Sequence, residues 1–238
     1  MATSAPNGFA TTEWSLVLAS TEGGPALDRL CRTYWQPVYV YVCATGLERE
    51  DAQDATQEFF ADMLRRDWLK IVDRDRGSFR AFLRSSVRLF LNNRRRHLLA
   101  QKRGGGEIPW QLQSEEGDHA FDHSLTEATD PAELYEQAWA NCVLEIALSR
   151  LGAEQANAGR SGPYERLREY VTSAPAPGDY ERIAQELGTS TGQVAVLVHR
   201  LSRRFAELIR AEVAATLADP REVETELRYL LRLVSGRL

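Results

Sequence analysis

Residues 73–106 read DRDRGSFRAFLRSSVRLFLNNRRRHLLAQKRGGG. Between Arg74 and Arg103 the stretch holds ten Lys or Arg residues against one acid, Asp75. Phe79, Phe82, Leu83, Val87, Phe90 and Leu91 recur at steps of three and four, which places them along one face of a helix of 3.6 residues per turn. The spacing therefore predicts a long amphipathic helix. Its charge asks for a polyanion or a membrane surface as partner.

The whole chain has 238 residues and a formal net charge of -5, which taken alone argues against nucleic acid. The charges are segregated along the sequence, however, so the total conceals a basic segment between acidic ones. With 43% hydrophobic and 26% charged residues the composition is that of an ordinary soluble globular protein, long enough for one large or two small domains. Cys31, Cys43 and Cys142 form no C-x-x-C pair and leave one odd, so neither a disulfide framework nor a zinc ribbon is expected. The opening MATSAPNGFATTEW lacks a charged n-region and an apolar h-region, and no uninterrupted apolar run approaches eighteen residues. A cytoplasmic protein without export signal or membrane span is the expectation.

Residues 1–11 read as a flexible tail, followed from Thr12 by a short helix with Trp14, Leu16, Val17 and Leu18 apolar. Residues 26–45 keep helical spacing through Leu27, Leu30, Cys31, Tyr34, Trp35, Val38, Tyr41 and Val42, despite Pro37. Residues 47–66 form the clearest amphipathic helix. Ala52, Ala55, Phe59, Phe60, Met63 and Leu64 make its apolar face, and Asp51, Asp54, Gln57, Glu58 and Asp62 the acidic one. A solvated surface is the plain reading of such a face. The basic stretch directly after it suggests a division of labour instead.

Three motifs here resemble bacterial extracytoplasmic-function (ECF) sigma factors of the sigma-70 superfamily. Asp51-Ala52-Gln53-Asp54-Ala55-Thr56-Gln57-Glu58-Phe59-Phe60 is similar to the D-A-x-D-x-x-Q-E-x-F signature of the segment that binds RNA polymerase. Tyr34-Trp35-x-Pro37-Val38-Tyr39 resembles the Y-x-x-L-Y that precedes it, and Phe79-Arg80-Ala81-Phe82-Leu83 the F-R-x-W-L that opens the promoter-melting segment. The resemblance implies that Asp51, Asp54, Gln57 and Glu58 meet polymerase. It also implies that Arg80, Arg84, Arg88, Asn92, Arg94, Arg95 and Arg96 line the site for the unpaired -10 strand. Phe79, Phe82 and Phe90 could stack bases there or be plain core. Leu89 and Asn93 stand where many relatives carry Asn and Asp, so no base preference carries over.

Beyond Gly104-Gly105-Gly106 the character inverts: from Glu107 to Glu136 there are nine acids and no Lys or Arg, with Pro109, Gly117 and Pro131 interrupting any helix. This reads as an acidic linker over 107–131. His119 and His123 fall within it at H-x-x-x-H spacing, but without a metalloprotease Glu or helical periodicity they are not taken as a metal site. Residues 132–151 return to helix, with Leu134, Ala138, Trp139, Val143, Ile146, Ala147 and Leu151 expected to be buried, and 164–171 form another.

Residues 179–201 (DYERIAQELGTSTGQVAVLVHRL) spell a helix-turn-helix: a short helix ending at Leu187, the Gly188 turn, a capping Ser190 or Thr191, and a longer second helix. Ile183, Ala184, Leu187, Val194, Val198 and Leu201 make its small core. The segment is similar to I-A-x-x-L-G-x-x-x-G-x-V-K-x-R-L-x-R of the -35-reading domain of the same family. Ala195 and Leu197 replace basic positions of that pattern, so Thr191, Gln193, His199, Arg200, Arg203 and Arg204 are the candidate DNA contacts, the last two by way of phosphates. Residues 205–213 continue the helix, and a final one begins at Asp219-Pro220 with Val223, Leu227, Leu230, Leu231 and Leu233 apolar. This extension, Trp14-Ser15-Leu16-Val17-Leu18 and the Gln101-to-Gly106 string resemble the large-linker subgroup abundant in planctomycetes.

The expectation is thus an all-α protein of two helical domains, 12–106 and 132–238, joined by the acidic linker. The resemblance implies core RNA polymerase as partner, through its largest-subunit clamp and its flap, together with promoter DNA and an anti-sigma factor or other regulator. No Gly-rich phosphate loop, nucleophile elbow, metal cluster or catalytic His and Cys pair is present in the sequence, so neither an enzyme nor a cofactor is expected. A stand-alone helix-turn-helix regulator is the alternative.

Overall fold

The computed structural model of the protein describes residues 25–65, 78–102, 130–217 and 219–235. The tail, the short helix expected from Thr12, Arg103 and the linker with His119 and His123 up to residue 129 lie outside them. Every regular element among the described residues is helical. Three helices come first: α1 (Pro25–Ala44), α2 (Arg49–Arg65) and α3 (Phe79–Lys102). The Thr45 hydroxyl donates to the Val42 carbonyl at 2.6 Å, satisfying one of the carbonyls a helix end leaves open.

Aromatic contacts join these helices. Tyr34 of α1 meets Phe79 of α3 edge-on with ring centroids 5.2 Å apart, Trp35 stacks on Phe60 of α2 at 5.5 Å, and Phe59 meets Phe90 at 5.6 Å. Such offset and edge-on pairs add about 0.5–1.5 kcal/mol each beyond the area they bury. Phe79, Phe59 and Phe90 are almost wholly enclosed, so two of the three phenylalanines considered for base stacking are core. Phe82 is half-buried against the same core. Two expectations for α2 are corrected. Asp62 is buried and paired with Arg65, so it leaves the acidic face, while Leu64 is 37% exposed and leaves the apolar one.

The fourth helix, α4 (Pro131–Asn157), is 27 residues and so about 40 Å long at 1.5 Å per residue. Asp130 caps it by accepting from the Ala132 N–H at 3.0 Å, and Pro131 fills the first position. Its first half gives Tyr135, Trp139, Ala140 and Val143 to the core built by α1–α3. Its second half gives Ala147 and Leu151 to another core, and Leu144 touches both. A helix buried from several sides must be apolar around its circumference, which is why this segment lacks a clean polar stripe. Tyr135, Ala140 and Cys142 are buried although their spacing did not single them out, and Leu134 and Ile146 are only half-buried. Burial pushes the Cys142 thiol up to about 11.

The second core is completed by α5 (Ser161–Leu167), a 3-10 turn (Arg168–Val171), α6 (Asp179–Leu187) and α7 (Thr191–Ala215). Ile183, Ala184, Val194, Val198 and Leu201 lie inside it with Leu187 packed at its edge, the small core expected of the helix-turn-helix. Gly188 ends α6 at φ 62°, a left-handed conformation that a Cβ disfavours, and its N–H returns to the last turn. Helix α8 (Val223–Ser235), introduced by a 3-10 turn at Pro220–Glu222, packs back on α4 and α7. It gives Val223 and Leu230 to the first core, not the second.

Candidate nucleic-acid and polymerase interface

On α2, one helix face is turned outward. Asp51, Asp54, Gln57 and Glu58 are all exposed, and Asp51 and Asp54 make no ion pair among the described residues. Glu58 differs: its carboxylate accepts from Arg94 Nε of α3 at 3.1 Å. The residue assigned to polymerase and the one assigned to DNA are therefore paired with each other, at a surface where such a bond is worth about 0–1 kcal/mol. Either can be given up cheaply to an outside partner.

The arginines of α3 divide by position. Arg95 and Arg96 are exposed and make no ion pair among the described residues, beside Leu98 and Leu99 at 47% and 46% exposure. Arg88 is exposed and Asn92 half-buried. At the other end Arg80 is 7% exposed and forms ion pairs with Glu136 of α4 and Glu226 of α8. Its guanidinium carbon lies 4.3 Å from the Trp139 ring centroid and 5.1 Å from that of Tyr229. Its backbone carbonyl accepts from the Tyr135 hydroxyl at 3.1 Å, and Arg84 donates to the other Glu136 oxygen at 2.7 Å. Arg80 and Arg84, expected at a DNA surface, instead bind the chain's own carboxylates. Burying a cation costs several kcal/mol unless such partners surround it, which explains why two acids converge there.

The helix-turn-helix presents the outer stripe of α7. Its inner stripe is Val194, Val198, Leu201, Phe205 and Leu208, so geometry turns Gln193, Val196, Arg200 and Arg203 the other way. Thr191, His199 and Arg200 are exposed, and neither His199 nor Arg200 makes an ion pair among the described residues. Ser190 is the N-cap: its hydroxyl accepts from the Gln193 N–H at 3.3 Å while the Gln193 side-chain oxygen accepts from the Ser190 N–H at 3.3 Å. Gln193 thus closes a capping box, and only its amide NH2 is left for a base. Arg204 grips Glu154 of α4 through two bonds of 2.8 and 2.7 Å and Glu207 at 2.9 Å, while Arg203 reaches Glu207 at 3.4 Å. The Arg204 guanidinium holds the Glu154 carboxyl below the usual range and is itself raised by the pairing. Arg204 is a brace between α7 and α4.

Below the turn, Arg182 of α6 bonds Glu186 at 3.0 Å, Asp179 at 3.4 Å and the Tyr170 hydroxyl at 3.0 Å. The Ala176 N–H, donating at 2.8 Å, does most to hold the Asp179 carboxyl low, with Arg182 adding to it. These bonds pin the first helix of the pair to the preceding 3-10 turn.

Glu136, Glu226 and Val196 escaped the sequence reading, and Trp139 was expected only as core. Glu136, Glu226 and Trp139, which enclose Arg80, come from segments 56 or more positions away, beyond any local pattern. Val196, 49% exposed midway along the outer stripe, could have been found by projecting α7 as a helical wheel from its buried positions. Among the described residues no group of three or more His, Cys, Asp or Glu could hold a metal, and no helix is long and apolar enough to cross a membrane. The site therefore belongs to an all-helical arrangement with one acidic face, one basic helix and one helix-turn-helix. No family model, curated protein or solved structure matches the chain.

Proposed function

We propose that this chain is a dissociable initiation subunit of bacterial RNA polymerase, a sigma factor of the ECF kind, acting in the cytoplasm without catalysis or cofactor. The observation that carries the reading is the acidic face of α2, exposed at Asp51 and Asp54 and without ion pairs among the described residues, directly ahead of a basic helix in a chain that also holds a helix-turn-helix. An acidic face repels DNA but pairs with basic residues of a protein, giving orientation and rapid encounter. The largest-subunit clamp would take α2, and the flap the helix-turn-helix unit.

Promoter recognition would then be bipartite. The outer stripe of α7, through Thr191, His199, Arg200 and Arg203, holds duplex DNA, and α3 receives the melted -10 strand from its Arg95 and Arg96 end. Joining two weak contacts through one polymerase makes the second intramolecular, so neither need be strong alone. An anti-sigma factor or another regulator is a further partner consistent with the reading.

The test is gel filtration of the chain with core polymerase. Co-elution is expected for the parent chain and is lost in Asp51→Lys/Asp54→Lys, whose substitutions touch no described ion pair. Failure of the parent chain to co-elute overturns the proposal. A stand-alone helix-turn-helix regulator is the second reading, favoured by the way the second half of α4 and α5–α7 build a core distinct from that of α1–α3. Such a regulator would bind duplex DNA equally well after the α2 reversal and would ignore polymerase.

A further inference from the structure

The Arg80 enclosure joins three parts of the chain that the sequence keeps far apart. Arg80 opens α3, Glu136 and Trp139 lie in the first turns of α4, and Glu226 and Tyr229 lie in α8. Arg84 completes the charge balance, so two guanidiniums meet two carboxylates. Helix α8 is fastened a second time, through Glu224 to Arg210 of α7. It thereby ties the first basic helix to the far end of the second.

We propose that the Arg80–Arg84 edge of α3 is an anion site filled by the chain's own carboxylates, and that α8 is a removable occupant which leaves when nucleic-acid phosphate takes its place. The DNA half of this inference rests on the function proposed above; the clasp itself does not. The chemistry of the contact makes it exchangeable. A purely apolar contact of the same size would hold α8 at least as well, since a buried ion pair offers little net stability over a hydrophobic equivalent. An ionic contact differs in that a phosphate oxygen can replace the Glu226 oxygen at the Arg80 guanidinium, since charged carboxylate and phosphate oxygens accept from the same N–H donors. The released Glu226 returns to water, where it is well solvated, while Glu136 stays on α4 beside Arg84. Until that exchange, Arg80 has no path to DNA: it is 7% exposed and covered by two rings.

Helix α8 is also built to leave. It is 13 residues long, with only Val223 and Leu230 buried; Leu227, Leu233 and Val234 are half-covered against the first core, and Leu231 faces outward at 59% exposure. A short helix with few buried side chains opens at lower free energy than the core it covers. In the closed state the α3 surface offers outside anions Arg95 and Arg96 but withholds Arg80.

The experiment measures binding of a fluorescent single-stranded DNA oligonucleotide by anisotropy over a range of salt, with amide hydrogen exchange of residues 223–235 on the same samples. Glu226→Gln keeps the shape and removes one carboxylate charge. It should speed exchange in α8, raise DNA affinity, and steepen the slope of log K against log salt by about 0.7 for each additional phosphate that the chain neutralises. Glu222→Gln, the same charge change at an exposed site one turn away, should do none of these. Adding Arg80→Gln to Glu226→Gln should remove the gain. Faster α8 exchange with unchanged DNA affinity overturns the proposal, as does an equal gain in the Glu222→Gln control.

A second measurement needs no variant: saturating the parent chain with the oligonucleotide should speed exchange across 223–235. Unchanged α8 protection in the DNA-bound chain sinks the idea even if Glu226→Gln proves unstable. Core polymerase binding, assayed separately, distinguishes the two proposals. A chain that ignores polymerase yet gains DNA affinity on Glu226→Gln keeps the clasp and loses the sigma reading.

Discussion

Helices α3 and α7 are nearly equal in length, 24 and 25 residues, and both carry arginines assigned from the sequence to DNA, yet they hold those charges differently. On α7 the buried stripe from Val194 to Leu208 is apolar, so Arg200 and Arg203 are left on the outer surface by default. On α3 the first arginine lies on the covered side, where Glu136 and Glu226 neutralise it. Arginine density thus reports an anion to be met, without saying whether that anion is a phosphate or a carboxylate of the same chain.

The contrast breaks most visibly at Arg80. Replacing it by Met leaves Glu226 without its cation and Glu136 with Arg84 alone in a covered site, and should cost about 3–5 kcal/mol in urea unfolding. The same change at Arg200 should stay within about 0.5 kcal/mol. Equal losses at the two positions would erase the distinction between the helices. It sharpens if Glu226→Gln is added to Arg80→Met, since removing both charges of that pair while Glu136 keeps Arg84 should recover much of the stability.

Smaller effects are expected at the turn that aims α7. Gly188→Ala forces a Cβ into the left-handed conformation, at a cost of about 1–2 kcal/mol. Ser190→Ala removes one arm of the capping box and should cost about 1 kcal/mol. Thermal melts followed by circular dichroism measure both. Neither should disturb α3, whose stability depends on the other core.

The smallest effect concerns acid. Glu154 and Asp179 both have folded carboxyl pKa values below their unfolded ones, so their contribution is complete at neutral pH. It is lost as pH falls from about 4, near the unperturbed carboxylate value, through the lower folded values, because the unfolded chain binds protons first. Glu154→Gln should flatten that part of the melting temperature against pH profile. An unchanged profile would show that the Arg204 brace contributes nothing.

Much of the helical framework was legible because 3.6-residue periodicity is a local property. The second and third helices, the helix-turn-helix core and the final helix all follow from the spacing of their apolar residues. Helix α4 resisted such reading since two cores share it, and its polar Glu136 is buried where a polar residue suggests solvent. The site was less legible. Asp51, Asp54, Arg95, Arg96 and Arg200 stand exposed where they were expected, whereas Arg80 and Arg84 are captured by acids 52 to 146 positions away. Gln193 is a different case: Ser190-Thr191-Gly192-Gln193 already carries the S-x-x-Q pattern of a capping box, so its bonding to Ser190 could have been anticipated.

The most direct test of the central proposal is run-off transcription by core polymerase, with and without this chain, on a template holding the DNA upstream of its own coding sequence. The expected result is a discrete transcript that requires the chain and disappears with Asp51→Lys/Asp54→Lys. Absence of any chain-dependent transcript, with the chain folded and DNA-binding, would contradict it.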